Sequence, residues 1–291
     1  MLEHYGDSRQ PPKRVVVLGA NGFIARALVE RLRRQAIMVK PIGRGEIDLA
    51  AVNAEQQLSS ALTAGDALVF LSAVTPDKGR GIDAFLVNLR MGAAVCAAVA
   101  AKPPAQVVYV SSDAVYPFTE GTTEENSCAE PKDLYGAAHL ARELMVKTAA
   151  QCPIAILRPT LIYGPGDTHN SYGANRFRRM ARKEGRITLF GDGEETRDHI
   201  YIDDIVSLIV LTLQHRSAGT LNLVSGRSIS FAALARMVAG QFSSPIEIVM
   251  LPRQTAVTHR KFDASGLHRA FPAFRMTALE EGIASAHAAA D

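Results

Sequence analysis

The segment from Arg14 to Arg34 constrains the fold more than any other part of the chain: RVVVL is a β-branched apolar run, GANG follows at once, and FIARALVERLRR comes next. The last stretch places Phe23, Ala27, Leu28 and Leu32 on one face and Arg26, Glu30, Arg31 and Arg33 elsewhere, the period of an amphipathic helix. In Gly19-x-x-Gly22-x-x-Ala25 the first glycine permits a tight turn and the second lets backbone approach a pyrophosphate. The small third residue packs the helix on the strand. The same rhythm continues with apolar runs at 37–42, 67–71, 106–110 and 154–158, separated by helical patterns at 54–63, 82–101 and 133–151. Strands that read as continuous apolar runs between helices are buried on both faces, so the pattern predicts an α/β fold with a doubly wound parallel sheet.

Past Arg158 the rhythm breaks. Gly164 to Asn175 is rich in Gly, Pro and Asn, 176–185 is a basic helical pattern, 203–215 a helix with an Asp cap, and 220–224 a strand able to return to the main sheet. The expected organisation is a dinucleotide-binding Rossmann domain over 1–160, rejoined by 200–225, with a smaller, discontinuous C-terminal substrate-binding subdomain from 161–199 and 226–291. Lys plus Arg number 32 against 29 Asp plus Glu in 291 residues, a balance too small and scattered for a nucleic-acid surface, although an acidic small ligand stays open. Cys96, Cys128 and Cys152 are an odd set without a Cys-x-x-Cys pair, so no disulfide framework and no metal are expected, and the cytoplasm is the expected location. The N-terminal dozen residues are polar, and no window of about 20 residues reads as uniformly apolar, so no membrane span is expected.

The candidate chemistry lies at strand ends. After 37–42, where an acid would bond an adenosine ribose, the chain offers Gly43-Arg44. A guanidinium there suits a 2′-phosphate and hence NADP over NAD, unless Arg44 is a solvated loop residue. VVYVSSDAVY at 107–116 is a buried strand that ends in hydroxyls, and Tyr135-Gly136 opens a helix 19 residues beyond Tyr116. Hydride exchange at a carbinol needs an acid or base at the oxygen, which a tyrosine supplies when a nearby cation draws its pKa toward neutrality. Ser112 could hold the same oxygen. Taken singly, Ser112 is equally a strand-end cap and Tyr135 an amphipathic helix residue.

The glycine turn, SSDAVY, Tyr135 with Glu143 eight residues on, LRPTLIYGPGD at 157–167 and RDHIYIDD at 197–204 occur in order over nearly the whole chain. Together they resemble the extended short-chain dehydrogenase/reductases, the NAD-dependent epimerase/dehydratase family of nucleotide-sugar epimerases, dehydratases and 4-keto reductases. The resemblance implies that Gly19, Asn21, Gly22, Phe23, Ile24, Arg44, Asp48, Leu49, Ser72 and Ala73 hold NADP or NAD. It also implies catalysis by Ser112, Tyr135 and His139, and substrate contacts at Asp113 and Arg197, whose planar fork suits a diphosphate. Asn88 falls where the family meets the cofactor or braces the sheet. The implied partner is a small molecule, a nucleotide-sugar. A homodimer through 82–101 and 133–151 is one use of those apolar faces, and packing on the sheet explains them equally.

Departures from the family pattern narrow the function. His139 stands where the family has a lysine four residues after its tyrosine, and histidine is largely neutral at pH 7. Asp113-Ala114 lacks both the Asp-Glu pair of sugar 4,6-dehydratases and the cysteine of GDP-fucose synthase, and Leu161 replaces an asparagine near the diphosphate. The expected function is an NAD(P)-dependent oxidoreductase that reduces a nucleotide-linked 4-keto sugar. The alternatives are a nucleotide-sugar 4-epimerase with tightly held NAD and a non-catalytic dinucleotide-binding sensor.

Overall fold

The computed structural model describes residues 2–6, 11–170, 172–253 and 255–289. Along the chain run β1 (Arg14–Leu18), α1 (Phe23–Arg34), β2 (Met38–Ile42), α2 (Ala54–Ala61), β3 (Asp66–Phe70), α3 (Ile82–Ala101) and β4 (Gln106–Val110). A single 3₁₀ turn (Asp113–Val115) leads to β5 (Thr122–Thr123), α4 (Leu134–Ala149), β6 (Ile154–Pro159), β7 (Leu161–Tyr163), α5 (Ala174–Glu184), β8 (Arg186–Phe190) and β9 (Thr196–Tyr201). Then come α6 (Ile202–Gln214), β10 (Gly219–Leu223), β11 (Ser228–Ser230), α7 (Phe231–Ala239), β12 (Glu247–Leu251), β13 (Lys261–Phe262), α8 (Ser265–Ala270) and α9 (Leu279–Ala288).

Two compact units result: Met1–Pro117 with Glu125–Pro159 and Val206–Asn222, and Phe118–Glu124 with Thr160–Ile205 and Leu223–Asp291. The first unit holds a six-stranded sheet in the order β10-β6-β4-β3-β1-β2, with β2, β1, β3, β4 and β6 paired in parallel. The order reverses between β1 and β3, the switch point beside which open α/β sheets bind ligands. Val15 to Leu18, Leu68 to Phe70 and Val107 to Tyr109 are almost wholly buried, and each such side chain contributes about 1.5–3 kcal/mol by leaving water.

Helix α3 corrects one expectation. By length and composition alone, Ile82–Ala101 is apolar enough to cross a membrane, contrary to the reading that no such window exists. Its Asn88, Met91, Gly92, Val95, Ala98 and Val99 are buried, and it packs against both α2 and α4. Packing on two sides makes it apolar over more than one stripe, and Ile82 and Leu86 add exposed apolar surface at its start.

In the second unit β11-β9-β7 form one small sheet, while β12 pairs with β8 and β13 with β5. β5, β11 and β13 have only two or three residues and no apolar run to mark them, whereas β12 carries the apolar run 248–251 and adds a strand to those expected. Helix α6 starts at Ile202, so Asp203 and Asp204 lie in its first turn and the expected Asp cap at 203 is displaced. Asp204 instead accepts from the Thr277 N–H (3.0 Å) and hydroxyl (2.9 Å). Asp198 accepts from the Thr160 hydroxyl (3.0 Å) and from the Ser225 N–H and hydroxyl (2.9 Å each), and burial pushes its carboxyl up to about 6. Asp198 and Asp204 of RDHIYIDD therefore brace loops.

Candidate active site

Gly19 ends β1 at φ +84°, and a Cβ there would stand 2.9 Å from the Cα and N of Ser72, so only glycine fits the turn. The Gly19 and Ala20 N–H groups donate to the Ile42 carbonyl (2.9 and 3.2 Å), and the Gly22 N–H donates to the Gly19 carbonyl (2.9 Å). Gly22 precedes α1, which has no side-chain cap and no acid in its first turn, so its N–H groups and positive dipole end suit an anion. Phe23 is buried, Ile24 half-buried and Asn21 exposed.

At the end of β2, Arg44 and Asp48 form one exposed ion pair (Nε to Oδ2, 3.1 Å), although the sequence assigned them separate contacts. The Ala50 N–H, and after it Arg44, holds the Asp48 carboxyl below its usual range. The Leu49 side chain is buried in the core, leaving only its backbone for a ligand. Beyond β3, Ser72 and Ala73 are half-buried. Asn88 accepts from the Val74 N–H (2.9 Å) and donates to the Val74 carbonyl (3.0 Å), so of its two expected roles the structure shows the brace.

Beyond β4, the Ser112 hydroxyl accepts from the Ala114 N–H (3.1 Å) and lies 3.4 Å from Asp113 Oδ1, capping the 3₁₀ turn. That turn sits directly on α4: a Cβ at Gly136 would lie 2.1 Å from the Ala114 carbonyl oxygen, which explains the glycine after Tyr135. Asp133 caps α4 by accepting from the Gly136 N–H (2.8 Å). Tyr135, His139 and Arg142 fall at i, i+4 and i+7 on one helical face.

The Tyr135 ring meets His139 edge-on, with centroids 4.6 Å apart at 77°. His139 Nδ1 is 2.7 Å from the Tyr109 hydroxyl, and its Nε2 is buried without a partner. Burial, followed by the charge of Arg142, pushes the imidazole well below its usual 6.5, so His139 is neutral in the physiological range. Burial and Asp113 push the Tyr135 phenol up to about 12, with the Ser112 hydroxyl and Arg142 pulling the other way. The tight Gly19 cradle, the uncapped start of α1 and the orphaned Nε2 of His139 all fit a bound dinucleotide.

The sequence left a buried network behind this site unrecognised. Glu143 accepts from the Ser111 hydroxyl (2.6 Å) and, through both oxygens, from Arg158 Nε and Nη2 (2.9 and 2.6 Å). Arg158 Nη1 donates to the Tyr116 hydroxyl (2.6 Å), which donates to Asn222 Oδ1 (2.9 Å). Much of the motif pattern in SSDAVY, LRP and Glu143 is thus a polar keystone joining β4, α4, β6 and β10.

In the second unit, Arg197 on β9 donates to the Thr258 carbonyl and hydroxyl (2.7 Å each) and to the Thr196 carbonyl (2.9 Å). Its guanidinium lies 5.2 Å from the Phe118 ring centroid, and that of Arg260 lies 4.5 Å from the same ring. Arg260 had no motif to reveal it. Two guanidiniums thus pack on one aromatic ring.

Comparison with known proteins gives the family and the fold. Residues 15–224, well over half of the chain, match the NAD dependent epimerase/dehydratase family. A dTDP-L-rhamnose 4-epimerase of Burkholderia thailandensis is 36% identical over 123 residues, which cover 40% of this chain and 34% of that enzyme. The fold is shared with RMD from Pseudomonas aeruginosa complexed with NADPH (TM-score 0.83, 21% identity, 95% of this chain and 98% of that one). It is shared equally with the Thermus thermophilus UDP-glucose 4-epimerase complex with NAD (TM-score 0.81, 19% identity, 95% and 98%). With its glycine turn, its Ser112–Tyr135 pair and a match extending from β1 through β10, the chain belongs to the NAD-dependent epimerase/dehydratase family.

Proposed function

We propose that the chain uses NADPH to reduce the keto group of a nucleotide-linked 4-keto sugar. The observation that carries this reading is the end of β2, where Arg44 stands in place of an acid and its side chain is 87% exposed, available to a 2′-phosphate. The start of α1 takes the pyrophosphate, and Gly19, Asn21, Gly22, Phe23, Ile24, Asp48, Leu49, Ser72 and Ala73 line the dinucleotide. When bound, the dinucleotide supplies the hydride. Ser112 Oγ and Tyr135 Oη hold the keto oxygen, and Tyr135 delivers the proton as that oxygen becomes a hydroxyl. Neutral His139 turns its unpartnered Nε2 to a ribose hydroxyl. In the first unit Asp113 is a substrate contact; in the second, the fork of Arg197 suits a diphosphate.

The test is steady consumption of NADPH with a panel of nucleotide-linked 4-keto sugars, followed by nicotinamide absorbance. The 4-epimerase among the relatives supports a second reading, in which sugar is converted with no net loss of the dinucleotide. Conversion without NADPH loss would replace the reductase reading by that one.

Arg44→Ala lowers the preference for NADPH over NADH by about tenfold, the worth of one charge-assisted contact discounted for solvent screening. Calorimetric titration of both dinucleotides measures it, and an unchanged preference removes Arg44 from the 2′-phosphate. Arg197→Ala weakens competition by free nucleoside diphosphates by about tenfold or more, leaving dinucleotide affinity in place. Equal loss of both would instead make Arg197 a structural brace for the 258 segment.

A further inference from the structure

We propose that Arg142 is a positioning residue for Tyr135: a fixed, buried guanidinium on the same face of α4 that supplies the positive charge missing at position 139. The proposal rests on Tyr135 being the proton-transfer residue of the proposed function. Arg142 is 0% exposed. Its Nη2 donates to the Ser72 carbonyl (2.6 Å), its Nη1 is 3.5 Å from Asn88 Oδ1, and its Nε has no partner. No carboxylate among the described residues pairs with it, and its guanidinium lies 4.1 Å from the Phe70 ring centroid and 5.2 Å from that of Tyr109.

Burying a charge among neutral groups is costly, and arginine keeps its proton at any accessible pH. Arg158, almost as buried, shows the usual solution, with Glu143 across both nitrogens. A neutral side chain of similar length would pack on Phe70 and Tyr109 without that cost, so the charge itself calls for an explanation. Helix α3 makes room for it: a Cβ at Gly92 would lie 2.9 Å from Arg142 Cγ.

The groups facing this region from each neighbouring element set the sign. The 3₁₀ turn brings Asp113 and the cap of α4 brings Asp133, both of which favour the protonated Tyr135 phenol, whereas Arg142 favours the phenolate. Tyr109 comes from β4, Cys96 from α3, and His139 from α4 itself, while the Glu143 carboxylate is engaged by Arg158. Burial first, and then the charge of Arg142, disfavour a second cation at 139, and the imidazole there is neutral. By gripping the Ser72 carbonyl, the same guanidinium places its charge in register with the loop that touches Gly19.

The test follows Tyr135 and His139 by NMR of ring-labelled apoprotein, assigned with Tyr135→Phe and His139→Gln, in the wild type, Arg142→Gln and Arg142→Lys. Loss of a positive charge raises the pKa of both neighbours. Arg142→Gln is expected to move both titrations upward by on the order of one unit, as removal of a nearby unit charge does. Arg142→Lys is expected to restore both, and the alkaline falling limb of the turnover profile to follow Tyr135, the proton donor. If Arg142→Gln does not fold, Arg142→Met, which keeps the packing on Phe70, takes its place. Unmoved titrations in the neutral variant, or a lysine variant that behaves like it, overturn the proposal and leave Arg142 as a brace for the Ser72 loop. If the wild type turns over no nucleotide sugar, the proposed function fails, while the titrations in apoprotein still decide the charge role of Arg142.

Discussion

Tyr135→Phe lowers kcat by about 10²- to 10⁴-fold, the usual worth of a positioned acid or base, and leaves dinucleotide affinity within about twofold. Only the hydroxyl is removed. The ring keeps its edge-on contact with His139, Asp133 still caps α4, and the Gly19 turn is untouched. Ser112 remains to hold the substrate oxygen, so the KM for the sugar changes less than kcat. The comparison needs initial rates with saturating sugar and a calorimetric titration of the dinucleotide for both proteins. Retention of more than about a tenth of kcat would move the proton transfer to another group, with Ser112 acting through water the first to examine.

Glu143→Leu destabilises the protein by about 3–5 kcal/mol, because it leaves the buried Arg158 charge without its carboxylate and the Ser111 hydroxyl without its acceptor. Replacing both partners, as Glu143→Leu with Arg158→Met, recovers a large part of that loss, since neither buried charge then remains to be compensated. The Tyr116 hydroxyl keeps Asn222 as a partner in the double variant. Urea unfolding followed by tyrosine fluorescence and circular dichroism compares the three proteins. If the double variant is no more stable than Glu143→Leu, the pair contributes through packing, and the charge argument for this network falls.

The two experiments probe different halves of one motif pattern. Ser112 is buried and Tyr135 half-buried beside the 3₁₀ turn after β4, whereas Ser111, Tyr116, Glu143 and Arg158 form the buried network. Their proximity in sequence gives no hint of that division. In VSSDAV, adjacent serines have opposite duties: Ser111 donates inward to Glu143, and Ser112 caps the turn that rests on Gly136.

What the sequence by itself determined is everything carried by local periodicity and backbone geometry. The limits of β1, α1, α3 and β4 are readable because burial on one or both faces imposes a repeat on consecutive residues. Gly19 is readable because a strand cannot turn into a helix there without a left-handed residue. Tertiary structure alone decided which buried charges meet. Arg142 reaches the Ser72 carbonyl across 70 residues, the Tyr116 hydroxyl reaches Asn222 across 106, and β13 pairs with β5 over two residues with no apolar run to announce either strand. Arg44 and Asp48, read separately in the sequence, meet in one exposed ion pair; Asp204 reads as part of a helix start and also serves Thr277. The physical reason is that hydrophobic burial acts on every residue of an element and so leaves a repeating trace in the chain. A hydrogen bond or charge pair depends on a single distance between atoms that only the folded sheet brings together.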